Sequence, residues 1–190
     1  PVHGLILGML LGSRESEVKR LLPLFLSAFD RLVAEEKDLA GVIPAATSYL
    51  YELIQSMVGS RPIRVVHGKS REVIAASTTV LVASGTAALE SVLTGRPTVA
   101  AYKMNPWTYR LVKNKVQTEF ITLPNLLANR ALIPELIQEK ASVDSIVNAI
   151  HPMLDESPDN QFLTEAQKIY DSLAGDVSGR AAEAILEQLS

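Results

Sequence analysis

Residues 79–97 read TVLVASGTAALESVLTGRP. Thr79 to Ala83 is a short apolar, β-branched run, the composition of a strand buried on both faces of a parallel sheet. It gives way to Ser84-Gly85-Thr86. Behind that turn Ala87, Ala88, Leu89, Val92 and Leu93 recur at helical spacing until Gly95 and Pro97 supply stop signals. The unit is strand, tight turn, helix. Small residues at such a turn let a ligand approach the backbone closely, and the first amides of the new helix have no partner within it. The stretch therefore predicts an anion site, and a phosphate there gains both the free N–H groups and the positive end of the helix dipole.

Outward from this unit the pattern repeats. Gly4 to Leu11 reads as a buried strand, broken by Gly12-Ser13-Arg14, and Val18, Leu21, Leu22, Phe25, Phe29 and Leu32 mark the apolar face of a long helix. Leu39 to Ile43 is a weak strand, with a helix carrying Tyr49, Leu50, Leu53, Ile54 and Met57 behind it. Ile63 to His67 is a strand and Glu72 to Ala76 a short helix. After the central unit come a strand over Thr98 to Tyr102, a helix over Pro106 to Val116, and a last short strand over Phe120 to Leu123. Strands alternating with helices predict an α/β fold, a doubly wound parallel sheet. From Pro134 onward only helical patterns are legible: Glu135 to Lys140, Val143 to Leu154, Phe162 to Leu173 and Ala181 to Leu189. The chain therefore divides into a nucleotide-binding lobe over residues 1–158 and an all-helical tail over residues 159–190, for which no further strand is left to cover.

The chain has 190 residues, 47% of them hydrophobic, enough for one well-filled domain or one lobe of a larger enzyme, and disorder is excluded as a description of the whole. A formal net charge of −3 provides no global attraction for nucleic acid. There are no cysteines, which rules out disulfides and thiolate chemistry and fits a cytoplasmic setting. The apolar run Leu5 to Leu11 is too short to span a bilayer. Pro1 stands where an initiator methionine would, and a strand-like run follows almost at once, which predicts that the protein extends upstream.

Arg14 sits at the end of a buried strand, where open α/β sheets place their ligands, and its planar fork suits a phosphate. A charged hydrogen bond of this kind is worth about 1.5–3 kcal/mol, against about 0.3–1 kcal/mol for an exposed helix dipole, so Arg14 should outweigh the turn. The competing reading is a surface arginine paired with Glu15 or Glu17. Asn125, in the Pro-Asn pair after the predicted strand at Phe120 to Leu123, either reaches into the same crevice or folds back on its own backbone as an Asx-turn. Glu90, on the helix behind the central turn, either accepts ribose hydroxyls or is a solvated helix residue. His3, His67 and His151 are scattered, and only His67 falls near the crevice. Neither a zinc site nor a Ser/His/Asp triad is supported, and there is no D-x-D pair for a metal-bridged sugar diphosphate, no P-loop and no GxGxxG. No metal or cofactor is expected. Lys103, Arg110, Lys113 and Lys115 interleave with Tyr102, Trp107 and Tyr109, either a peripheral membrane contact or a helix with a solvated basic face.

Taken together, five motifs make the chain resemble the lipid-A-disaccharide synthase family. They are Gly12-Ser13-Arg14 with Ser16-Glu17-Val18, KSREVIAAS at 69–77, ASGTAALE at 83–90, AYKMNP at 101–106 and LPNLLA at 123–128. The resemblance covers the carboxyl-terminal, donor-binding half of these GT-B glycosyltransferases. Two positions depart from the family pattern: Leu11 where proline is usual, and Asn129 where glycine is usual, an exchange that asparagine's tolerance of left-handed backbone accommodates. The resemblance implies a UDP-linked 2,3-diacylglucosamine donor, a 2,3-diacylglucosamine 1-phosphate acceptor and transfer with inversion. It implies that Arg14 and the Ser84, Gly85 and Thr86 amides hold the diphosphate, Asn125 the diphosphate or sugar, and Glu90 the ribose. The catalytic base would lie in the missing amino-terminal half, and the tail would form a swapped homodimer on a cytoplasmic protein peripheral to the inner membrane. A UDP-sugar epimerase lobe and a non-enzymatic nucleotide-binding domain are the alternatives.

Overall fold

The computed structural model describes residues 4–83, 85–104, 119–155 and 158–175. Six strands form one sheet: β1 (Leu5–Leu10), β2 (Leu39–Ala45), β3 (Ile63–His67), β4 (Thr79–Val82), β5 (Thr98–Tyr102) and β6 (Glu135–Ile137). All neighbours pair parallel, in the order β3-β2-β1-β4-β5-β6. Between them run α1 (Glu15–Glu35), α2 (Ser48–Val58), α3 (Ser70–Ala76) and α4 (Thr86–Leu93), followed by α5 (Leu123–Ala128), α6 (Val143–Asp155) and α7 (Asn160–Leu173). This is the doubly wound architecture that the alternating pattern predicts. Burial explains it directly. Leu7, Met9, Leu81, Val99 and Ala101 join α1, α2 and α6 in one core layer, while Leu10, Val80, Val82 and Ala100 join α3, α4 and α7 in the other. The central strands are apolar on both sides because both sides are covered.

The sequence order reverses between β1 and β4. Leu7 pairs with Thr79 and Leu10 with Val82, so the turns after these two strands emerge side by side at the carboxyl edge. Open sheets of this kind bind ligands at such a reversal.

Two sequence expectations are corrected. Phe120 to Leu123 is not a strand. Thr122 is the N-cap of α5, and Pro124 in its first turn is a helix-start signal. Glu135 to Lys140 is not a helix, because residues 135–137 add β6 to the edge of β5 and only Gln138–Lys140 turn, as a short 3₁₀ segment. The helix read at Phe162 to Leu173 is present as α7 and packs on α4 and α5 of its own chain, with Ala166 and Ile169 buried beneath it. Leu163, Tyr170 and Leu173, near the two ends of the same helix face, stay exposed. The helices read at Pro106 to Val116 and Ala181 to Leu189 lie outside the described residues, as do Ser84 and most of the basic and aromatic stretch.

Candidate functional site

At the carboxyl edge, a crevice of ≈570 Å³ opens over the β1/β4 reversal. Its floor is the two turns: Leu11 to Arg14 after β1, and Ala83 with Gly85 to Ala87 after β4. Pro44, Ala46, Ser70 and Glu90 line one end, and Tyr102, Met104 and Ile121 the other. Four of the five family-like motifs therefore contribute to one cavity, and LPNLLA does not.

Gly85 is the N-cap of α4 with φ +92°, a conformation closed to side chains, and a Cβ there would meet nothing within 4 Å. The turn is thus strained for any other residue and open above. The N-cap glycine has no side chain with which to cap α4, and among the described residues its leading amides are left for a ligand. Gly12, at φ +87°, is fixed in the matching way on the other turn, and a Cβ there would stand 2.6 Å from Glu17 Oε2.

That last contact locates Arg14. The guanidinium is largely solvent-exposed and donates to Glu17 Oε1 at 3.1 Å, so both readings of this arginine meet in one place: it borders the crevice and it is paired with Glu17. The Glu17 carboxylate folds back over the Gly12 turn, and any anion approaching Arg14 has to displace it or share the cation. Glu90 lies in the crevice with Arg71 Nη2 3.8 Å from its carboxylate. Both acidic groups therefore have a cationic neighbour at the crevice. Glu15 has no part in it. Hydrogen bonds from Lys19 and then from the Tyr49 hydroxyl hold its carboxyl below the usual range.

Asn125 is placed differently from the ligand reading. It is 1% exposed, its Oδ1 accepts from Leu132 N at 2.8 Å and Ile133 N at 2.9 Å, and its Nδ2 donates to Ile133 O and Glu135 Oε1, each at 2.9 Å. With its carboxamide engaged inside the fold, it has no hydrogen-bonding capacity left for a sugar or phosphate. It clamps the segment that leads from α5 into β6. The Asx-turn reading was close in kind but not in target, since the backbone it captures is seven and eight residues away.

Its partner Glu135 was missed altogether. That carboxylate accepts from Ile121 N, Thr122 N, Thr122 Oγ1 and Asn125 Nδ2, closing the start of α5 against β6. Nothing in the local sequence marks it, because its partners lie 10 to 14 residues away. Asn129 does adopt left-handed backbone, φ 49°, at the end of α5. His67 lies outside the crevice, its Nε2 3.2 Å from Ser48 Oγ. Among the described residues no three His, Cys, Asp or Glu side chains are grouped to hold a metal ion, and no helix is long and apolar enough to cross a membrane.

An all-parallel sheet with two glycine turns side by side at the order reversal defines the class: a Rossmann-like lobe of GT-B type. The glycosyltransferase of kitacinnamycin superposes with a TM-score of 0.61 at 16% identity, covering 99% of this chain and 44% of that one. The calicheamicin glycosyltransferase superposes at 0.59 with 18% identity, over 98% and 42%. A putative UDP-N-acetylglucosamine 2-epimerase from Listeria monocytogenes reaches 0.56 at 14%, over 86% and 39%, so the fold alone is common to transferases and epimerases. Sequence separates them. The family model for lipid-A-disaccharide synthetase matches residues 2–188, and the chain belongs to that family. It is 40% identical over 190 residues to the lipid-A-disaccharide synthase of Pseudomonas aeruginosa (strain LESB58), covering 98% of this chain and 50% of that protein. Identity to the Azotobacter vinelandii synthase is 41% over 187 residues, covering 96% and 49%. The chain spans about half the length of these relatives.

Proposed function

We propose that this chain is the donor-binding half of a glycosyltransferase of lipid A synthesis, joining UDP-2,3-diacylglucosamine to 2,3-diacylglucosamine 1-phosphate. The observation that carries the reading is the crevice at the β1/β4 reversal, where the uncapped start of α4 and Arg14 face one cavity in a chain of this family. The acceptor hydroxyl attacks the anomeric carbon from the face opposite the diphosphate, so a new C–O bond forms with inversion as the bond to UDP breaks. The hydroxyl proton passes to a base outside this chain. Here the Arg14 guanidinium and the α4 amides stabilise the charge gathering on the leaving diphosphate. Glu90, which lines the same crevice, accepts from ribose hydroxyls on this reading.

On this reading the chain binds UDP without a divalent ion, because fixed cations and amides replace the metal. Calorimetry with and without EDTA should give the same affinity, and a strict need for magnesium would overturn the metal-free mechanism. Replacing Arg14 with alanine should weaken UDP binding by about 1.5–3 kcal/mol. Unchanged affinity would return Arg14 to a surface pair with Glu17. The chain alone should transfer no sugar, since holding only the donor cannot align two reactants.

We further propose that the protein works as a homodimer, peripheral to the inner membrane on its cytoplasmic side. Leu163, Tyr170 and Leu173, left exposed at the ends of the packed face of α7, support a helix-mediated contact. Light scattering of the full chain against Tyr170→Lys should show a dimer that dissociates. A monomer in both would remove the proposal.

A further inference from the structure

Among the described residues that line the crevice, Arg14 is the one cation, against two carboxylates, Glu17 and Glu90. Glu17 is built into this lining. Its side chain is 18% exposed, its Oε1 accepts from Arg14 Nη1, and its Oε2 lies 2.6 Å from where a Cβ on Gly12 would stand, so the glycine is what admits the carboxylate. The helix dipole does not account for it alone. Glu15 already supplies an acid to the first turn of α1, and it is turned away from the crevice, engaged with Lys19 and the Tyr49 hydroxyl.

Glu17 stands toward the sugar end of the crevice. Arg20, one turn further along the same face of α1, donates to Lys103 O at 3.1 Å, and the neighbours of Lys103, Tyr102 and Met104, line that end. With the ribose at Glu90, the phosphate nearest Glu17 is the terminal one, to which the sugar is joined. In the donor that phosphate is bridged on both sides and carries one negative charge. When its bond to the anomeric carbon breaks, the electron pair stays on the phosphate oxygen, and the free terminal phosphate of UDP carries close to two charges at mildly alkaline pH, since its second ionisation has a pKa of about 6.

We propose that Glu17 is a specificity-determining residue that sets donor above product: its carboxylate, sharing Arg14 with the terminal phosphate, opposes the added charge of UDP and so favours its release. The inference rests on the donor-binding reading above. Calorimetry at mildly alkaline pH compares UDP with its β-methyl ester, which caps the terminal phosphate as the sugar does. Both are titrated into the full chain and into Glu17→Gln, Glu17→Ala and Glu15→Gln, with the melting temperature of each protein recorded. The Glu17 variants should bind UDP about three- to tenfold tighter and the ester no more than about twofold tighter, the scale of one like-charge contact near a protein surface. Glu15→Gln, a similar charge change outside the crevice, should leave both affinities where they were. Equal gains for the two ligands would make Glu17 a competitor of any anion and overturn the assignment. Unchanged or weaker UDP binding by a folded Glu17 variant overturns it too, as does the same discrimination in Glu15→Gln. A parent chain that binds neither ligand overturns the donor-binding reading and this proposal with it, whereas a parent that binds both leaves that reading standing whichever way the Glu17 variants fall.

Discussion

Asn125→Ala is expected to lower the stability of the fold by about 3–5 kcal/mol while leaving UDP affinity unchanged in the fraction that remains folded. The substitution strips partners from Leu132 N, Ile133 N and Ile133 O at once, and from one oxygen of Glu135. Each buried group left unpaired costs about 1–3 kcal/mol, and water entering the space recovers part of it. Asn125→Asp should be no better at neutral pH. It keeps the acceptor but sets a carboxylate oxygen against Ile133 O and the Glu135 carboxylate, where the wild type has a donor. Urea unfolding measures the loss, and calorimetry at low temperature, where the variants are folded, measures UDP binding. Full stability with lost affinity would restore Asn125 to the ligand.

Phe29→Ala should cost a similar amount, about 3–5 kcal/mol, for a different reason. Phe29 is completely buried between α1 and the sheet, and its Cε2 lies 3.0 Å from where a Cβ on Gly41 would stand, with Met9 Cε at 2.9 Å. The ring thus rests on a strand with its side chain pared away to admit it. Truncation leaves a cavity that neither the strand nor the helix can close without giving up its other contacts. Since Phe29 is remote from the crevice lining, UDP affinity should hold at temperatures well below melting. A variant as stable as the parent in urea would mean that α1 does not dock on β2 as described.

These two residues also mark where sequence reasoning succeeds and where it stops. Phe29 was legible as core because α1 repeats its apolar residues at helical spacing, a signal written within one turn of the residue itself. The buried strands were legible for the same reason, and Ile63–His67 and Thr98–Tyr102 run over the expected residues. The central turn was legible through its small residues, and the observed φ of Gly85 supplies the physical cause. β6 was not legible. Glu135-Leu136-Ile137 is too short to show a period, and its conformation is set by pairing with Ala100 to Tyr102, more than thirty residues earlier. Asn125 was misread because a Pro-Asn pair resembles a turn, while its actual partners arrive from beyond the helix. Gln138 carries no sequence signal at all. Its left-handed backbone and unpaired amide exist only once the sheet is assembled.

The reversal of strand order between β1 and β4 has a thermodynamic consequence. Ile6 N reaches Thr78 Oγ1 across 72 residues of chain, so the turns at Gly12 and Gly85 are neighbours only in the folded protein. In the unfolded chain the two halves of the proposed anion site are strangers. A ligand that touches both turns has almost nothing to bind there, and the free energy of its binding is added to that of folding. At a hundred times its dissociation constant such a ligand raises stability by about 2.7 kcal/mol. It acts as a reversible clip that fastens β1 to β4 across the intervening chain.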